Sequence, residues 1–160
     1  MNSSSFLYVV LFLSFVFFSC NPSYEYEKHY EIDKGDWAYA DTLDFAFNIA
    51  DSLKIYNLYL EVVHSPDFAS QNLYTRVKTK FPQGEKLEEL LSLELSDTET
   101  GNWLGNCNKE KCTLQIPIQQ GAHFNQIGDY VITLEQYMRK DPTTGVYKIG
   151  FQLEDTGMSR

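Results

Sequence analysis

The residues whose side chains are suited to catalysis form no recognisable catalytic pattern in this sequence. Two pairs of carboxylates are spaced closely enough to act together, Asp33 with Asp36 and Asp41 with Asp44. Paired carboxylates hydrolyse glycosidic bonds when one is the acid and the other the base or nucleophile. Closely spaced acidic residues are also typical of solvated loops, and that is the interpretation we favour for both pairs.

A second cluster of oxygen atoms lies in one predicted loop, at Asp97, Thr98, Glu99 and Asn102. Such oxygens bind calcium, but the spacing differs from that of an EF-hand loop, and solvated turn residues are the simpler interpretation. The neighbouring segment Gly101-Asn102-Trp103-Leu104-Gly105 lacks the lysine of a phosphate-binding loop. The sequence also has no Gly-x-Ser-x-Gly elbow. We therefore predict no catalytic residue, no metal site and no cofactor.

The three cysteines divide into one N-terminal residue and one close pair. Four polar residues separate Cys107 from Cys112, as expected at a hairpin tip, and this spacing matches none of the zinc patterns. His29, His64 and His123 are scattered, and we interpret them as ordinary structural or solvated histidines. In an oxidising compartment Cys107 and Cys112 are therefore candidates for a disulfide.

The N-terminal segment predicts where the protein resides. Residues 6–18 are apolar or aromatic except for Ser14. A helix of this length would span about 20 Å, which is short of a roughly 30 Å hydrocarbon core. We therefore predict a signal peptide over residues 1–19, rather than an uncleaved anchor. Ser19-Cys20 at its end is similar to a bacterial lipobox, so we predict that Cys20 is lipidated and begins the mature protein.

Charge and length exclude several classes of protein. The chain has 22 acidic and 13 basic residues, and a formal net charge of −9. Phosphate backbones and anionic lipid surfaces are bound by clusters of lysine and arginine. We therefore predict no nucleic-acid partner and no basic membrane-binding patch, so that the lipid anchor is the predicted contact with the membrane. Without residues 1–19 the chain has the length of one ordinary domain.

Apolar and polar residues alternate with a period of two through most of this domain, which predicts strands. The aromatic content of 15% agrees, because aromatic residues favour strands. Residues 85–96 fit either a helix or a strand, and the neighbouring strands favour a strand over 90–96. Pro117 predicts an edge strand or a bulge. The predicted strands are residues 37–48, 54–64, 72–80, 90–96, 113–118, 128–139 and 146–154.

Strands without a long helix predict an all-β fold, an antiparallel β-sandwich or jelly roll, over residues 35–155. The preceding polar residues 20–34 are predicted to be a lipidated cysteine and tether, and residues 156–160 a short polar tail. Tyr30 and Ile32 are candidates for joining an edge strand from within this tether.

Four residues are candidates for partner binding. Trp103 and Leu104 lie in a predicted loop between two glycines, either as a core plug, which we favour, or as an exposed contact. Trp37 has the same two interpretations. Arg139 follows Met138 at the end of the longest predicted strand, where either an ion-pair residue or a binding residue is expected.

Several short motifs follow one another in an order that points to a family. They are Cys20, Trp37, Phe45-Ala46-Phe47, Tyr56-Asn57-Leu58-Tyr59-Leu60, Asn72-Leu73-Tyr74, Gly101-Asn102-Trp103-Leu104-Gly105, Gly128-Asp129-Tyr130, Gln136-Tyr137-Met138-Arg139, Gly145-Val146 and Ile149-Gly150. In this order the chain resembles the gliding motility lipoproteins of the GldH family, found in Bacteroidota.

The resemblance implies a non-enzymatic component of the gliding apparatus, which works alongside the type 9 secretion system. Other proteins of that machinery are its expected partners. The expected location is the cell envelope, on the periplasmic side of the outer membrane, because no acidic run follows Cys20. A carbohydrate-binding or nutrient-uptake surface lipoprotein is the alternative. A secreted hydrolase is disfavoured, since the sequence shows no nucleophile–base pair.

Overall fold

The computed structural model describes residues 24–160, which form two antiparallel β-sheets packed face to face. The predicted signal peptide and Cys20 lie outside the described residues. The all-β prediction is confirmed: within 24–160 the one helical segment is a 3₁₀ turn at Asp33–Gly35. The strands are β1 Tyr24–Glu31, β2 Asp36–Trp37, β3 Leu43–Ile49, β4 Lys54–His64, β5 Asn72–Lys80, β6 Lys86–Glu94, β7 Asn106–Cys107, β8 Cys112–Ala122, β9 Gly128–Gln136, β10 Thr143–Thr144 and β11 Val146–Ser159.

The larger sheet has five strands in the order β1-β11-β4-β8-β7, and the smaller has four in the order β3-β9-β5-β6. A short ribbon pairs β10 with β2. The ambiguous segment 85–96 contains strand β6, so the strand interpretation is confirmed, but β6 begins at Lys86 and ends at Glu94 instead of covering residues 90–96. Pro117 of β8 pairs with Tyr59 of β4 next to a register shift, and the other side of β8 is bordered only by the two-residue β7. Both features suit a residue without an N–H group.

Both predicted ends of the domain need correction. Residues 24–31, predicted as tether, form edge strand β1, in which Tyr26 and Tyr30 pack against the core while the alternating Glu25, Glu27 and Glu31 face solvent. Residues 156–159, predicted as tail, continue β11, where Ser159 pairs with Lys54. In both segments a strand neighbour satisfies the backbone, so that polar composition does not prevent a strand.

Aromatic side chains form the centre of the core between the two sheets. Strand β3 alternates strictly between buried and exposed residues, as its sequence predicts. Phe47 stacks on Tyr130 at 5.7 Å between ring centroids and on Phe151 of the opposite sheet at 5.6 Å. Burying one such side chain stabilises the fold by about 1.5–3 kcal/mol.

The first described residue, Tyr24, lies at one end of the sandwich, and most of the longer connections lie at the other. Tyr24 pairs with Glu154 at one end, whereas Val146 pairs with His64 at the other. We call this second end the loop end; it carries the connections 38–42, 65–71, 95–105 and 137–145. No helix in residues 24–160 has both the length and the apolar character needed to cross a bilayer.

Candidate functional site

Trp37 stabilises the loop end from inside the core. Its side chain has no exposed surface, and its indole Nε1 donates a hydrogen bond to the backbone oxygen of Asp41 at 2.7 Å. A residue without exposed surface cannot contact a partner. The structure therefore assigns Trp37 to packing and not to the partner-binding surface for which it was a candidate.

Trp103 closes the same end as a plug, which is the interpretation that the sequence favours. The side chain is partly buried against the core, and its Nε1 donates to the backbone oxygen of Pro66 at 2.8 Å. The indole lies edge-on to the ring of His64 at 4.8 Å between centroids. The backbone N–H of Leu104 donates a hydrogen bond to the backbone oxygen of Leu95 at 2.8 Å, which connects the loop to the segment after β6.

His64 is completely buried beneath this plug. Its Nδ1 lies 2.8 Å from the backbone oxygen of Ser65. A carbonyl oxygen only accepts, so Nδ1 carries the proton and Nε2 faces the core without a hydrogen-bond partner among the described residues. Burial lowers the pKa of His64, with a smaller opposing effect from the Ser65 hydrogen bond. The histidine is thus a neutral packing residue at pH 7.

The cysteine pair holds the outer side of this loop. Cys107 and Cys112 are joined by a disulfide with an S–S distance of 2.02 Å, between two-residue β7 and the start of β8. Just before it, Gly105 has φ +77°, and a Cβ there would lie 2.4 Å from the backbone oxygen of Thr113. Only glycine permits this close approach. The disulfide and Gly105 together fix the segment that follows Trp103 against β8.

An open groove of about 700 Å³ lies beside the plug at the loop end. Three of its large apolar side chains are well exposed: Tyr74 is 48%, Leu90 63% and Tyr137 46% accessible. Tyr74 points to solvent because it alternates with the buried Leu73 and Thr75, whereas Leu90 belongs to the exposed first half of edge strand β6. The lining residues are Phe68, Ala69, Ser70, Tyr74, Leu90, Tyr137, Met138, Arg139, Lys140, Thr143 and Thr144.

A buried amide organises the wall of the groove. Gln136, only 2% accessible, accepts a hydrogen bond from the backbone N–H of Met138 at 2.8 Å and donates to the backbone oxygen of Lys140 at 3.2 Å. The backbone N–H of Tyr137 donates a hydrogen bond to the backbone oxygen of Tyr74 at 2.8 Å. The Tyr39 hydroxyl donates to the backbone oxygen of Met138. Hydrogen bonds with Gln136, Tyr74 and Tyr39 therefore fix the turn after β9.

The groove is basic although the protein is acidic. Arg139 and Lys140 are exposed, and no carboxylate within residues 24–160 lies within 4.0 Å of either. The ion-pair interpretation of Arg139 thus has no partner among residues 24–160, and the binding interpretation stays a prediction. Arg76 beside the groove differs, because it stacks 4.5 Å from the Tyr137 ring and bridges to Glu88 at 3.3 Å.

Asp97 and Asp44, two of the carboxylates singled out in the sequence, accept hydrogen bonds from nearby threonines. Asp97 Oδ1 accepts hydrogen bonds from the hydroxyl and the backbone N–H of Thr100, both at 2.7 Å, and these bonds lower the pKa of Asp97. Asp44 Oδ1 accepts from the Thr133 hydroxyl at 2.6 Å. In the described part of the chain, no group of three His, Cys, Asp or Glu residues is arranged to hold a metal ion. These residues shape turns and strand edges.

Sequence reasoning missed the groove as a whole, although it identified Arg139. Tyr74 and Tyr137 occur among the family motifs, but neither was selected for binding. The available signal was an aromatic residue on the solvent face of a strand, alternating with Leu73 and Thr75, and two residues before Arg76. Exposed aromatic residues beside cations are typical of interaction surfaces.

Comparisons with known proteins agree on one family. A family described as GldH lipoprotein matches residues 24–153. A gliding motility lipoprotein GldH homolog from Christiangramia forsetii is 24% identical, and the alignment covers 96% of this chain and 98% of the relative. The gliding motility lipoprotein GldH of Flavobacterium johnsoniae is 20% identical, with 91% of this chain and 94% of the relative covered.

The similarity to solved structures is weaker. A family GH115 4-O-methyl-α-glucuronidase matches with 10% identity and a TM-score of 0.47, over 86% of this chain and 18% of the enzyme. A likeness of this size carries no argument about function. The family match, in contrast, extends from the first described strand into β11. The chain belongs to the GldH lipoprotein family.

Proposed function

We propose that the protein is a lipid-anchored, non-enzymatic component of the bacterial gliding motility machinery, associated with the type 9 secretion system. The observation that carries this proposal is the family match over residues 24–153. Two relatives that align over nearly their whole length are gliding motility lipoproteins by name. Both alignments cover more than nine-tenths of each chain, so the likeness is not confined to one short module.

The geometry of the polar residues supports a role in binding and not in catalysis. Asp97 caps its own turn, and Asp44 binds a neighbouring threonine. His64 is buried and faces an indole, where no substrate reaches it. What the domain presents to solvent at the loop end is the groove with Arg139, which suits contact with another protein.

The position of β1 supports an arrangement in which the loop end faces away from the membrane. With the lipid on Cys20, only residues 21–23 would separate the anchor from Tyr24. Strand β1 has 8 residues and therefore extends about 26 Å from that point towards the loop end. We place the anchor in the outer membrane and the domain on the periplasmic side, because Asn21-Pro22-Ser23 contains no acidic residue.

The test is deletion of the gene in the source bacterium, followed by complementation. We expect deletion to abolish gliding, wild type to restore it, and Cys20→Ser to fail because only the thiol accepts the lipid. A deletion strain that glides normally would overturn the proposal. Secretion of type 9 cargo into the medium is measured in the same strains. Unchanged secretion in the deletion strain would refute the association with the type 9 secretion system. Protease added to intact and to permeabilised cells reports the side of the membrane.

The alternative function, polysaccharide binding, relied on aromatic residues exposed in loops, above all Trp103. In the structure the indole Nε1 is bonded to Pro66 and the ring packs on His64. A Trp103-dependent affinity for polysaccharide is therefore not expected. Affinity electrophoresis in gels that contain polysaccharide checks this, with Trp103→Phe as the variant.

A further inference from the structure

We infer that the groove beside the Trp103 plug docks a partner protein through an acidic segment that carries an aromatic or aliphatic side chain. This inference rests on the proposed function, because it specifies how a non-enzymatic subunit would contact the machinery. Its three supports are the charge of the groove, its exposed apolar surface, and its position on the domain.

Charge complementarity selects an acidic partner. The groove is lined by two cations, Arg139 and Lys140, and by no carboxylate. The chain as a whole has 22 acidic and 13 basic residues. A basic partner would thus be attracted by the carboxylate excess of the chain as a whole, whereas the two cations of the groove attract an acidic segment. Opposed potentials of this kind fix where partners meet and how fast they associate.

The apolar part of the groove selects a segment with a large side chain. Leu90, Tyr74 and Tyr137 form an exposed surface beside the two cations. Tyrosine and arginine are the residue types that most often carry binding energy in protein interfaces. Met138 lines the same surface, and its Sδ accepts a hydrogen bond from the backbone N–H of Tyr74 at 3.2 Å, which joins β5 to the turn after β9. A volume of about 700 Å³ admits several side chains of a partner.

The groove is also preformed and faces away from the anchor. The Gln136 amide holds the turn that carries Arg139 and Lys140, so docking orders little new backbone. The described chain begins at Tyr24, at the end of the sandwich opposite the groove. The bilayer that holds the anchor would therefore lie near β1's first residue. A partner protein, and not this lipid surface, fits the groove's position.

The experiment uses the full-length protein in its own membrane. A photo-crosslinking amino acid replaces Leu90 in the groove or, as a control, Ile127, which is 64% accessible at the opposite end. The groove variant is Arg139→Glu with Lys140→Glu. Its matched control is Lys109→Glu with Lys111→Glu, which changes the net charge equally at exposed positions outside the groove.

We expect a protein adduct from the Leu90 position that falls about tenfold or more with the groove variant. The adduct should be unchanged in the matched control, and its partner peptide should be acidic with an aromatic or aliphatic residue. Thermal melting of both variants shows whether they are folded. If the groove variant melts lower than its control, Arg139→Gln with Lys140→Gln replaces it, because that change removes the charges without reversing them.

Several results would overturn the inference. These are no protein adduct at Leu90, an adduct to lipid, an adduct that survives both groove variants, or a partner peptide that is neutral or basic. A gliding assay of the deletion strain and of the groove variants distinguishes failure of the docking site from failure of the proposed function. A deletion strain that stops gliding, together with groove variants that glide normally, refutes the docking site alone. A deletion strain that glides refutes the proposed function.

Discussion

Replacing Trp103 with alanine is expected to destabilise the domain by about 3 kcal/mol, and the structure shows which contacts are lost. The hydrogen bond from Nε1 to Pro66 accounts for about 1 kcal/mol. The edge-on contact with His64 accounts for roughly another 1 kcal/mol. The remainder comes from apolar surface of an indole that is only partly buried. The total therefore lies at the lower limit of the roughly 3–5 kcal/mol typical of a fully buried aromatic residue.

The assay is thermal unfolding of the purified protein, followed by circular dichroism. In a domain of this size about 3 kcal/mol corresponds to a fall in Tm of roughly 10 °C. Trp103→Phe retains the ring contact and loses the N–H donor, so we expect a loss of about 1 kcal/mol. Tyr74→Ala is the control, since this exposed ring belongs to the groove and its removal should leave Tm nearly unchanged. An unchanged Tm for Trp103→Ala would refute the assignment of the indole as a plug.

Three further predictions follow from the same region and from the anchor. Stability should decline as the pH falls below about 6.5, because burial lowers the pKa of His64 and the unfolded chain then binds a proton that the folded chain does not. Urea unfolding from pH 8 to 5 measures the free energy of unfolding at each pH. A plot of this free energy against pH should be flatter for His64→Phe than for wild type, but not for the exposed-site variant His123→Gln. Cys107→Ser should cost about 2 kcal/mol, because the closed loop is short, and mass spectrometry without reductant should find no free thiol in wild type. Cys20→Ser should abolish labelling by an alkyne fatty acid, and equal labelling of both proteins would contradict lipidation.

Strands with a buried face could be predicted from the sequence, and strands with polar neighbours could not. Period-two alternation located β4 and β5 at their observed bounds, because one side of each meets the core. The strand predicted at 37–48 contains most of β3, but the structure interrupts it with the connection 38–42 after β2. Strand β1 contains four charged residues in eight and therefore resembles a linker. Its stability comes from pairing with β11, more than 100 residues away, and local alternation does not specify such a pairing.

The groove could be predicted only in part for a similar reason. Arg139 was identifiable from its place at the end of a long strand, but Tyr74 and Leu90 lie far from it in sequence. They meet because β5 lies between β9 and β6 in the smaller sheet. Strand order depends on the connections between strands and on which strand edges are covered. The alternation of apolar residues carries no information about either. Family motifs marked Tyr74 and Tyr137, without indicating that they share a surface.

The central position of β11 has a consequence for biosynthesis. This strand is the last in the chain, and it lies between β1 and β4 in the larger sheet. A polypeptide that emerges with its N-terminus first therefore exposes β1 and β4 without their common neighbour until the final residues have been made. Pairing across so long a loop is slow. The larger sheet should thus stay incomplete until β11 has been made, and an incompletely folded chain is what a protein-conducting channel requires of a polypeptide threaded through it. Deletion of residues 146–160 would remove β11 entirely. It would leave β1 without a partner strand and β4 paired only with β8, so an intact β11 determines whether this domain folds after translocation.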